Sequence, residues 1–447
     1  MNETHQPTHT TVASLLCNHF GTSELHKLVV ASRTFPVTSR LDLQTSLLGI
    51  IDEICDVLHQ SGVHAPYSFE SLSFNMMTIQ SDHAPSAAPI EYQDVDIGET
   101  APVRCLKSTL WLCVVEGRKV AILLAPHRSH GEVGGWNVEL AGLPKKNAAD
   151  ANAQVLAELE HRISRAQSYR GKVISLERRD NYSGKAGSVR VHKLRGVSRD
   201  QVILPEKTLR LLERNVTEFI AQRDNLKALG MSVKKGLLFY GPPGTGKTHT
   251  IHYLASQLRD HTTLLITAEE VAMLDQYFQL ARFLQPAMIV LEDVDLIARA
   301  RTNMHGPCEE SLLNKLLNEM DGLREDAELL FVLTTNRPNE LEAALAARPG
   351  RIDQAIEFPL PDDEGRRKLV KLYAGKLKIT APVVEVIVKK TKNASAAFIK
   401  ELMRRAAQVM LRSAEKKKLR LDDVESALDE MLFTGGSLNM ALLGGEA

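Results

Sequence analysis

The sequence predicts an α/β fold: a parallel sheet with a C-terminal helical lid, preceded by a helical subdomain and a small α+β domain. Three observations carry this. From about residue 201, short apolar runs alternate with helical stretches, the pattern of parallel strands joined by crossover helices. The apolar run Gly236 to Tyr240 passes directly into a Gly/Pro-rich loop, Gly241 to Thr248, that opens a helix. Beyond Pro361 the strand-like runs cease, and the pattern is helical to about Leu432.

The elements follow in order. Residues 1–80 carry helical stripes such as Leu43, Leu47, Leu48, Ile51, Ile54, Cys55 and Leu58, so a helical N-terminal subdomain is expected there. Ser81 to Pro89, rich in Ser, Ala and Pro, reads as a linker. Residues 90–200 read as an α+β domain. Its strands are Leu110 to Val115, Val120 to Leu124, Trp136 to Leu140, Lys172 to Leu176 and Val189 to Leu194, with a helix from about Ala149 to Gln167. Residues 201–361 form the large α/β domain. Its strands are Gly236 to Tyr240, Thr263 to Thr267, Ala287 to Leu291 and Leu329 to Thr335; its helices are Lys247 to Leu258, Glu269 to Leu284 and Glu309 to Leu323. Residues 362–435 are the lid and 436–447 a flexible tail.

With 447 residues, 44% apolar and 25% charged, the chain has ordinary globular composition and room for several cores, which excludes disorder as its main theme. Five cysteines, Cys17, Cys55, Cys105, Cys113 and Cys308, show no zinc-ligand spacing and read as reduced thiols. No signal peptide and no run near the roughly 18 apolar residues of a membrane helix is visible, so a cytoplasmic protein without membrane contact is expected. Lys plus Arg (55) balances Asp plus Glu (55), but the balance is a cancellation. Residues 1–100 hold 12 acids and 3 bases, whereas residues 101–200 hold 18 bases and 9 acids. An acidic N-terminal region meeting a basic surface, of its own assembly or of a client, is the expectation.

The chemistry concentrates in one loop. Gly241-Pro242-Pro243-Gly244-Thr245-Gly246-Lys247-Thr248, with His249 next on the helix, satisfies GxxxxGK[ST]. Glycines let consecutive amides point into one concavity, and a helix N-terminus adds partial positive charge, which suits phosphate. In this pattern the lysine, Lys247, reaches the β- and γ-phosphates of ATP and the hydroxyl of Thr248 ligates Mg²⁺. The apolar run Ala287 to Leu291 then delivers Glu292 and Asp293, with Asp295 beyond, at a strand's C-terminal edge, where ligands bind in open α/β sheets. One carboxylate serves the metal and the other the attacking water; the sequence leaves open which of the two is the base. Asn336, at the tip of the run Leu329 to Thr335, is placed to orient that water. Arg348 and Arg351 flank a Pro-Gly turn and suit a γ-phosphate on a neighbouring subunit.

These elements in this order resemble the AAA family of the AAA+ ATPases over about residues 201–435. The phrases that carry the resemblance are Lys235-Gly-Leu-Leu-Phe-Tyr before GPPGTGKT, Leu313-Asn-Lys-Leu-Leu-Asn-Glu-Met-Asp-Gly-Leu323, Thr334-Thr-Asn336-Arg-Pro and Arg348-Pro-Gly-Arg351-Ile-Asp353. The resemblance implies a P-loop NTPase fold, with Gly241 to Thr248 as Walker A, Glu292-Asp293 as Walker B, Asn336 as sensor 1, and Arg348 and Arg351 as arginine fingers acting in trans. It also implies ATP and Mg²⁺ as ligands and a homo-oligomeric ring, usually hexameric. Two departures stand out. Walker B here reads Glu-Asp, the order of the Bcs1-like branch, where most members read Asp-Glu. No glycine occurs between Gly246 and Gly306, where many unfoldases carry an aromatic-hydrophobic-Gly loop, which argues against processive threading. The chain has no HExxH, which excludes an FtsH-like protease, and Leu443-Gly-Gly-Glu-Ala lacks a proteasome-docking ending.

Three functions remain in play. The leading one is an ATPase that remodels a protein client selected by residues 1–200. A nucleotide-gated assembly or signalling module with slow hydrolysis is the second. A nucleic-acid-associated ATPase is the third, motivated by 17 Lys and Arg against 3 acids over residues 366–420.

Overall fold

The computed structural model describes residues 10–66, 71–78, 83–129, 132–144, 148–165, 168–178, 186–295, 316, 318–320, 322, 324–339, 351–412 and 418–433. The chain divides into two units, residues 1–170 with 175–192, and residues 171–174 with 193–447.

The first unit is built on a six-stranded sheet of order β1-β8-β7-β6-β2-β3, formed by Val29–Pro36 (β1), Asp56–His64 (β2), Ser86–Ala88 (β3), Thr109–Val115 (β6), Arg118–Ser129 (β7) and Glu132–Gly142 (β8). Tyr92–Val95 (β4) and Val103–Leu106 (β5) form a separate ribbon. The β6–β7 connection is a two-residue hairpin in which Glu116 (φ 48°) and Gly117 (φ 73°) both take left-handed backbone, the turn whose twist matches that of the strands. One face packs Leu110, Leu112, Ala121 and Leu123 against Val12, Leu16 and Phe20 of the helix Val12–Phe20. Thr11 caps that helix and Gly21, at φ 69°, ends it. The helices Arg40–Ile54 and Ala148–Ser164 lie alongside each other, joined by the Arg162 guanidinium donating to both carboxylate oxygens of Glu53 at 2.8 and 2.6 Å. Asn152 Nδ2 donates to the backbone oxygens of Val29 and Leu140, tying the second helix to the sheet.

Two sequence expectations take a different form here. Residues 1–80 are not a separate helical subdomain, since they contribute β1 and β2 to the same sheet as β6, β7 and β8. The helix Arg40–Ile54 is where the stripe of leucines and isoleucines placed it, but strand pairing between residues as distant as Gly62 and Thr109 or Val29 and Gly142 leaves no local trace. The stretch read as a linker supplies β3, which pairs with Gly62–His64, while Val12 N donates to Pro85 O at 2.9 Å and Ala87 N to Thr10 O at 2.9 Å.

The second unit contains the parallel sheet. Lys235–Tyr240 (β11), Thr262–Ile266 (β12), Ala287–Leu291 (β13), Leu329–Thr335 (β14) and Gln354–Glu357 (β15) follow the order β12-β13-β14-β11-β15, every pairing parallel. Val173 and Ile174, at the start of the strand Val173–Arg178 (β9), pair in parallel with β12, so this piece joins the sheet that the sequence reading began only after residue 200. Ala287 to Leu291 and Leu329 to Leu333 are buried on both faces, which is why they read as unbroken apolar runs. Four helices follow: Asp363–Ala374, Ala381–Lys390, Ala396–Arg412 and Leu421–Phe433. They share a core that includes Leu369, Val370, Ile387, Phe398, Leu402 and Val424. Arg366, 5% exposed, donates to Val388 O, Pro361 O and Asp363 Oδ1 and so fixes the start of the first of these helices against the second. The helix expected over Glu309 to Leu323 lies mostly outside the described residues, as does the tail.

Candidate functional site

The strand order places β11 between β14 and β15, with β13 beyond β14, so the carboxyl ends of three buried strands open beside one loop. That loop is built by its glycines. Gly241 has φ 144°, and a Cβ there would lie 2.3 Å from the Phe358 carbonyl oxygen; only glycine fits. Gly246, at φ 102°, precedes the helix Lys247–Gln257, and no side chain caps that helix, so its first-turn amides face outward for an anion. Thr245 Oγ1 donates to Pro242 O at 2.9 Å and closes the loop.

Lys247 is 7% exposed, and its Nζ donates to Gly241 O (2.8 Å), Pro242 O (3.0 Å) and Asn336 Oδ1 (2.8 Å). Burial pulls its ammonium down from the ordinary 10.5 to about 8, against the opposing pull of Asp293 and Asp295. A buried cation held mainly by neutral oxygens is short of negative charge, which a polyphosphate supplies. Thr248 Oγ1 donates to Glu292 Oε1 at 2.9 Å. A hydroxyl and a carboxylate in contact are the hard oxygen donors that Mg²⁺ takes, so these residues fit Mg²⁺ with a nucleotide.

The second carboxylate turns elsewhere. Asp293 sits at φ 50°, a conformation that costs a non-glycine residue roughly 1 kcal/mol or more. Its N–H donates to Thr334 Oγ1 at 3.0 Å, and its Oδ1 accepts from Asn336 Nδ2 at 3.0 Å. Asn336 therefore spans Lys247 and Asp293. Behind it Asp295, 3% exposed, accepts through one oxygen from Thr335 Oγ1 (2.9 Å) and Asn336 N (3.2 Å). The structure thus brings together Lys247, Thr248, Glu292, Asp293 and Asn336, drawn from one loop and two strand ends. Glu292 joins Thr248, and Asp293 joins Asn336.

Arg351 stands apart. It precedes β15 and lines a cavity with Lys234, Lys235 and Asp353 at the amino end of β11, where Asp353 Oδ2 accepts from Gly236 N at 2.6 Å. The six residues of β11 put roughly 17 Å between that edge and Gly241. Arg348 lies outside the described residues.

Beside the loop is a cavity of about 360 Å³, lined by Gln201, Ile203, Leu204, Gly244, Lys247, Asn336, Leu369, Tyr373, Ala396, Ala397 and Lys400, among others. Ala397 N donates to Gly244 O at 3.1 Å, and a Cβ on Gly244 would come within 2.9 Å of Ala397 Cβ, so the lid seats directly on the loop. His249 lies in the same wall, with Nε2 3.2 Å from Gln201 O. Sequence reasoning did not pick out Ile203, Leu204, Leu369, Tyr373 or Lys400. They lie far apart in the chain, and the only signal was Leu369 and Tyr373 at i, i+4 on one helix. Asp295 was seen only as a third acid; its burial was not legible.

The sequence profile of the ATPase family associated with various cellular activities (AAA) matches residues 237–360, the span that holds every one of these loop and strand-end residues. Residues 237–360 are an AAA ATPase domain. Among AAA relatives, the proteasome-activating nucleotidase of Methanothermobacter thermautotrophicus is 29% identical over 248 residues, 53% of this chain and 60% of the relative. The ATP-dependent zinc metalloprotease FtsH 3 of Symbiobacterium thermophilum is 32% identical over 233 residues, 49% of this chain and 37% of the relative. The proteasome-activating nucleotidase of Sulfurisphaera tokodaii is 31% identical over 232 residues, 49% of this chain and 58% of the relative. The chain thus spans less than two thirds of the length of each of these AAA relatives. Among the described residues, no helix is long and apolar enough to cross a membrane.

Proposed function

We propose that this chain binds and hydrolyses ATP as a subunit of a homo-oligomeric, six-membered ring and uses the turnover to remodel a protein client selected by residues 1–200. The observation that carries the reading is the pair of contacts Thr248–Glu292 and Lys247–Asn336–Asp293, a metal pair and a water-orienting pair beside one phosphate loop. In this reading the loop amides and Lys247 hold the phosphates, and the apolar walls from Ile203 to Tyr373 hold the base. Thr248 and Glu292 hold Mg²⁺, which when bound neutralises charge on the β- and γ-phosphates. Asp293 accepts the proton of the attacking water, and Asn336 keeps that carboxylate and Lys247 in register. Arg351, at the far edge of the sheet, serves with Arg348 a neighbour's γ-phosphate, which makes turnover depend on assembly. The names of the relatives, a proteasome activator and a protease, favour a protein as the client. The test is phosphate release by the purified chain, expected to disappear with Lys247→Ala and to rise with a client; absence of Lys247-dependent hydrolysis in every assembly state defeats the reading.

Slow, nucleotide-gated assembly is the second reading, favoured by the shorter Asp293 carboxylate and its left-handed backbone. Turnover that a client fails to stimulate would select it. A nucleic-acid role is less favoured, because lid bases that the composition exposed are taken up in ion pairs: Arg367 with Glu385, Lys368 with Glu364, Lys390 with Glu425, and Arg404 and Arg405 with Glu401.

A further inference from the structure

We propose that Cys55 and Cys113 are a peroxide-sensitive thiol pair, Cys55 reacting first and Cys113 resolving it, so that hydrogen peroxide converts them reversibly to a disulfide within the first unit.

The pairing of β2 with β6 brings the two residues together. Val57 lies directly opposite Cys113, and Asp56 opposite Val114. Cys55 precedes Val57 by two and is itself extended, at φ −111° and ψ 126°, so it stands on the same face of the sheet, diagonal to Cys113. The register slip of β2 falls beyond Val57 and leaves this end of the ladder regular. The two thiols are hydrogen-bonded to each other. Diagonal partners have Cα atoms roughly 7–8 Å apart, and a disulfide spans up to about 7 Å, so the backbone has to give by about 1 Å or less. Cys55 is free to give, because it ends the helix Arg40–Ile54 and comes just before the first ladder pair, Asp56 with Val114.

The two sulfurs differ in what they can do. Cys113 has no exposed surface, and its Sγ also lies 3.5 Å from Val120 O. Cys55 is partly exposed and borders a cleft of about 80 Å³ with Ile54, Val115, Val120 and Val155. A water molecule's share of liquid volume is about 30 Å³, so a molecule the size of hydrogen peroxide has room there. The hydrogen bond from Cys113 holds the Cys55 thiol below its ordinary range, against burial and the Asp56 carboxylate. The same bond, together with burial, pushes Cys113 far up. Net charge around Cys55 does not supply the effect, because Arg118 and Lys119 at the cleft are offset by Glu116 and Asp56. Cys55 is therefore the nucleophile, and Cys113 holds its proton until an oxidised sulfur is in reach.

The chemistry balances in two steps. The Cys55 thiolate attacks one peroxide oxygen; an S–O bond forms, the O–O bond breaks, and the departing hydroxide takes up the proton that Cys55 released, leaving a sulfenic acid and water. The Cys113 sulfur then attacks the Cys55 sulfur; the S–S bond forms, the S–O bond breaks, and the hydroxide leaves with the Cys113 proton as a second water. Two thiols are oxidised and one peroxide is reduced. A thiol reductant reverses the change by exchange. While it lasts, the bond pins the end of the helix Arg40–Ile54 to β6.

The test treats the full, reduced chain with hydrogen peroxide, blocks the remaining thiols with iodoacetamide and maps peptides by mass spectrometry without reduction. The expected result is a link between Cys55 and Cys113 within one chain, lost on treatment with dithiothreitol. Dimedone, which captures sulfenic acids, should label Cys55 about tenfold more in Cys113→Ser than in wild type, because nothing resolves the intermediate. In Cys55→Ser, Cys113 should stay unoxidised under the same exposure. The link in the wild-type chain is read without any substitution, so a misfolded variant leaves the proposal open to refutation. A Cys55 that peroxide leaves untouched, or one that is oxidised without joining Cys113, overturns it. Equal dimedone labelling of Cys55 in wild type and in folded Cys113→Ser, oxidation of Cys113 in folded Cys55→Ser, or a link from Cys55 to a second chain does so too.

Discussion

Asp295→Ala tests whether the water-orienting pair is held from behind. The Asp295 carboxylate is 3% exposed and accepts from two donors, Thr335 Oγ1 at 2.9 Å and Asn336 N at 3.2 Å. Thr335 has no exposed surface, so its hydroxyl loses a partner with no water to replace it. Hydrogen bonds to a charged acceptor contribute roughly 1.5–3 kcal/mol each, and the second here is long, so the loss sums to about 3–4 kcal/mol for the nucleotide-binding unit. The kinetic effect follows from Asn336. Once its backbone is released its side chain no longer holds Lys247 and Asp293 in one geometry, and displacement of about 1 Å at such a site costs on the order of a hundredfold in rate. Nucleotide affinity should change less than about threefold, because the loop amides are untouched. Asp295→Asn keeps the acceptor and the shape and should lose only about 1–2 kcal/mol. The assays are urea unfolding, steady-state phosphate release and titration with a fluorescent ATP analogue. Wild-type turnover and an unshifted unfolding midpoint for Asp295→Ala would refute the reasoning.

The remaining predictions concern the loop and its neighbours. Lys247 sits at about 8 in the free protein, and a phosphate binds its protonated form and raises that value. Affinity for ATP should therefore be nearly flat below about pH 7.5 and weaken about tenfold between about pH 7 and about pH 9, while Lys247→Arg stays flat; a flat wild-type titration contradicts the burial argument. Asp293→Asn should retain Mg-nucleotide binding and stop phosphate release, whereas Glu292→Gln should raise the Mg²⁺ concentration needed for binding about tenfold or more; the reverse assignment would exchange the two carboxylates. Arg351→Ala should bind nucleotide normally and hydrolyse at least about a hundredfold more slowly. Mixed with Lys247→Ala chains, it should regain activity above either alone, and no recovery on mixing would deny the arginine its action across subunits.

The strands Ala287–Leu291 and Leu329–Thr335 were legible because each is buried on both faces and so reads as an apolar run, whereas Gln354–Glu357, short and half-exposed, was not read as a strand. The glycine loop was legible because its backbone tolerates no Cβ at Gly241. The N-terminal unit was read less well. Its helix Arg40–Ile54 shows a stripe, but β2 is exposed along Asp56–Gln60 and carries no alternation to betray it, and β3 is three residues long. Pairing partners as distant as Val29 and Gly142 are chosen by the whole sheet, and no local window contains that information.

What the sequence determined by itself is which atoms are available: a phosphate loop with its lysine and threonine, two adjacent carboxylates, an asparagine at a strand tip and a pair of arginines. Their residue types and spacing are local, and backbone sterics and strand periodicity make them readable. Only the tertiary structure decided which of these meet. It set Glu292 against Thr248 and Asp293 against Asn336, buried Asp295 behind them and held Arg351 at the opposite end of β11. Each of those outcomes depends on strand order and register, which are settled by burying side chains distant in the chain against one another.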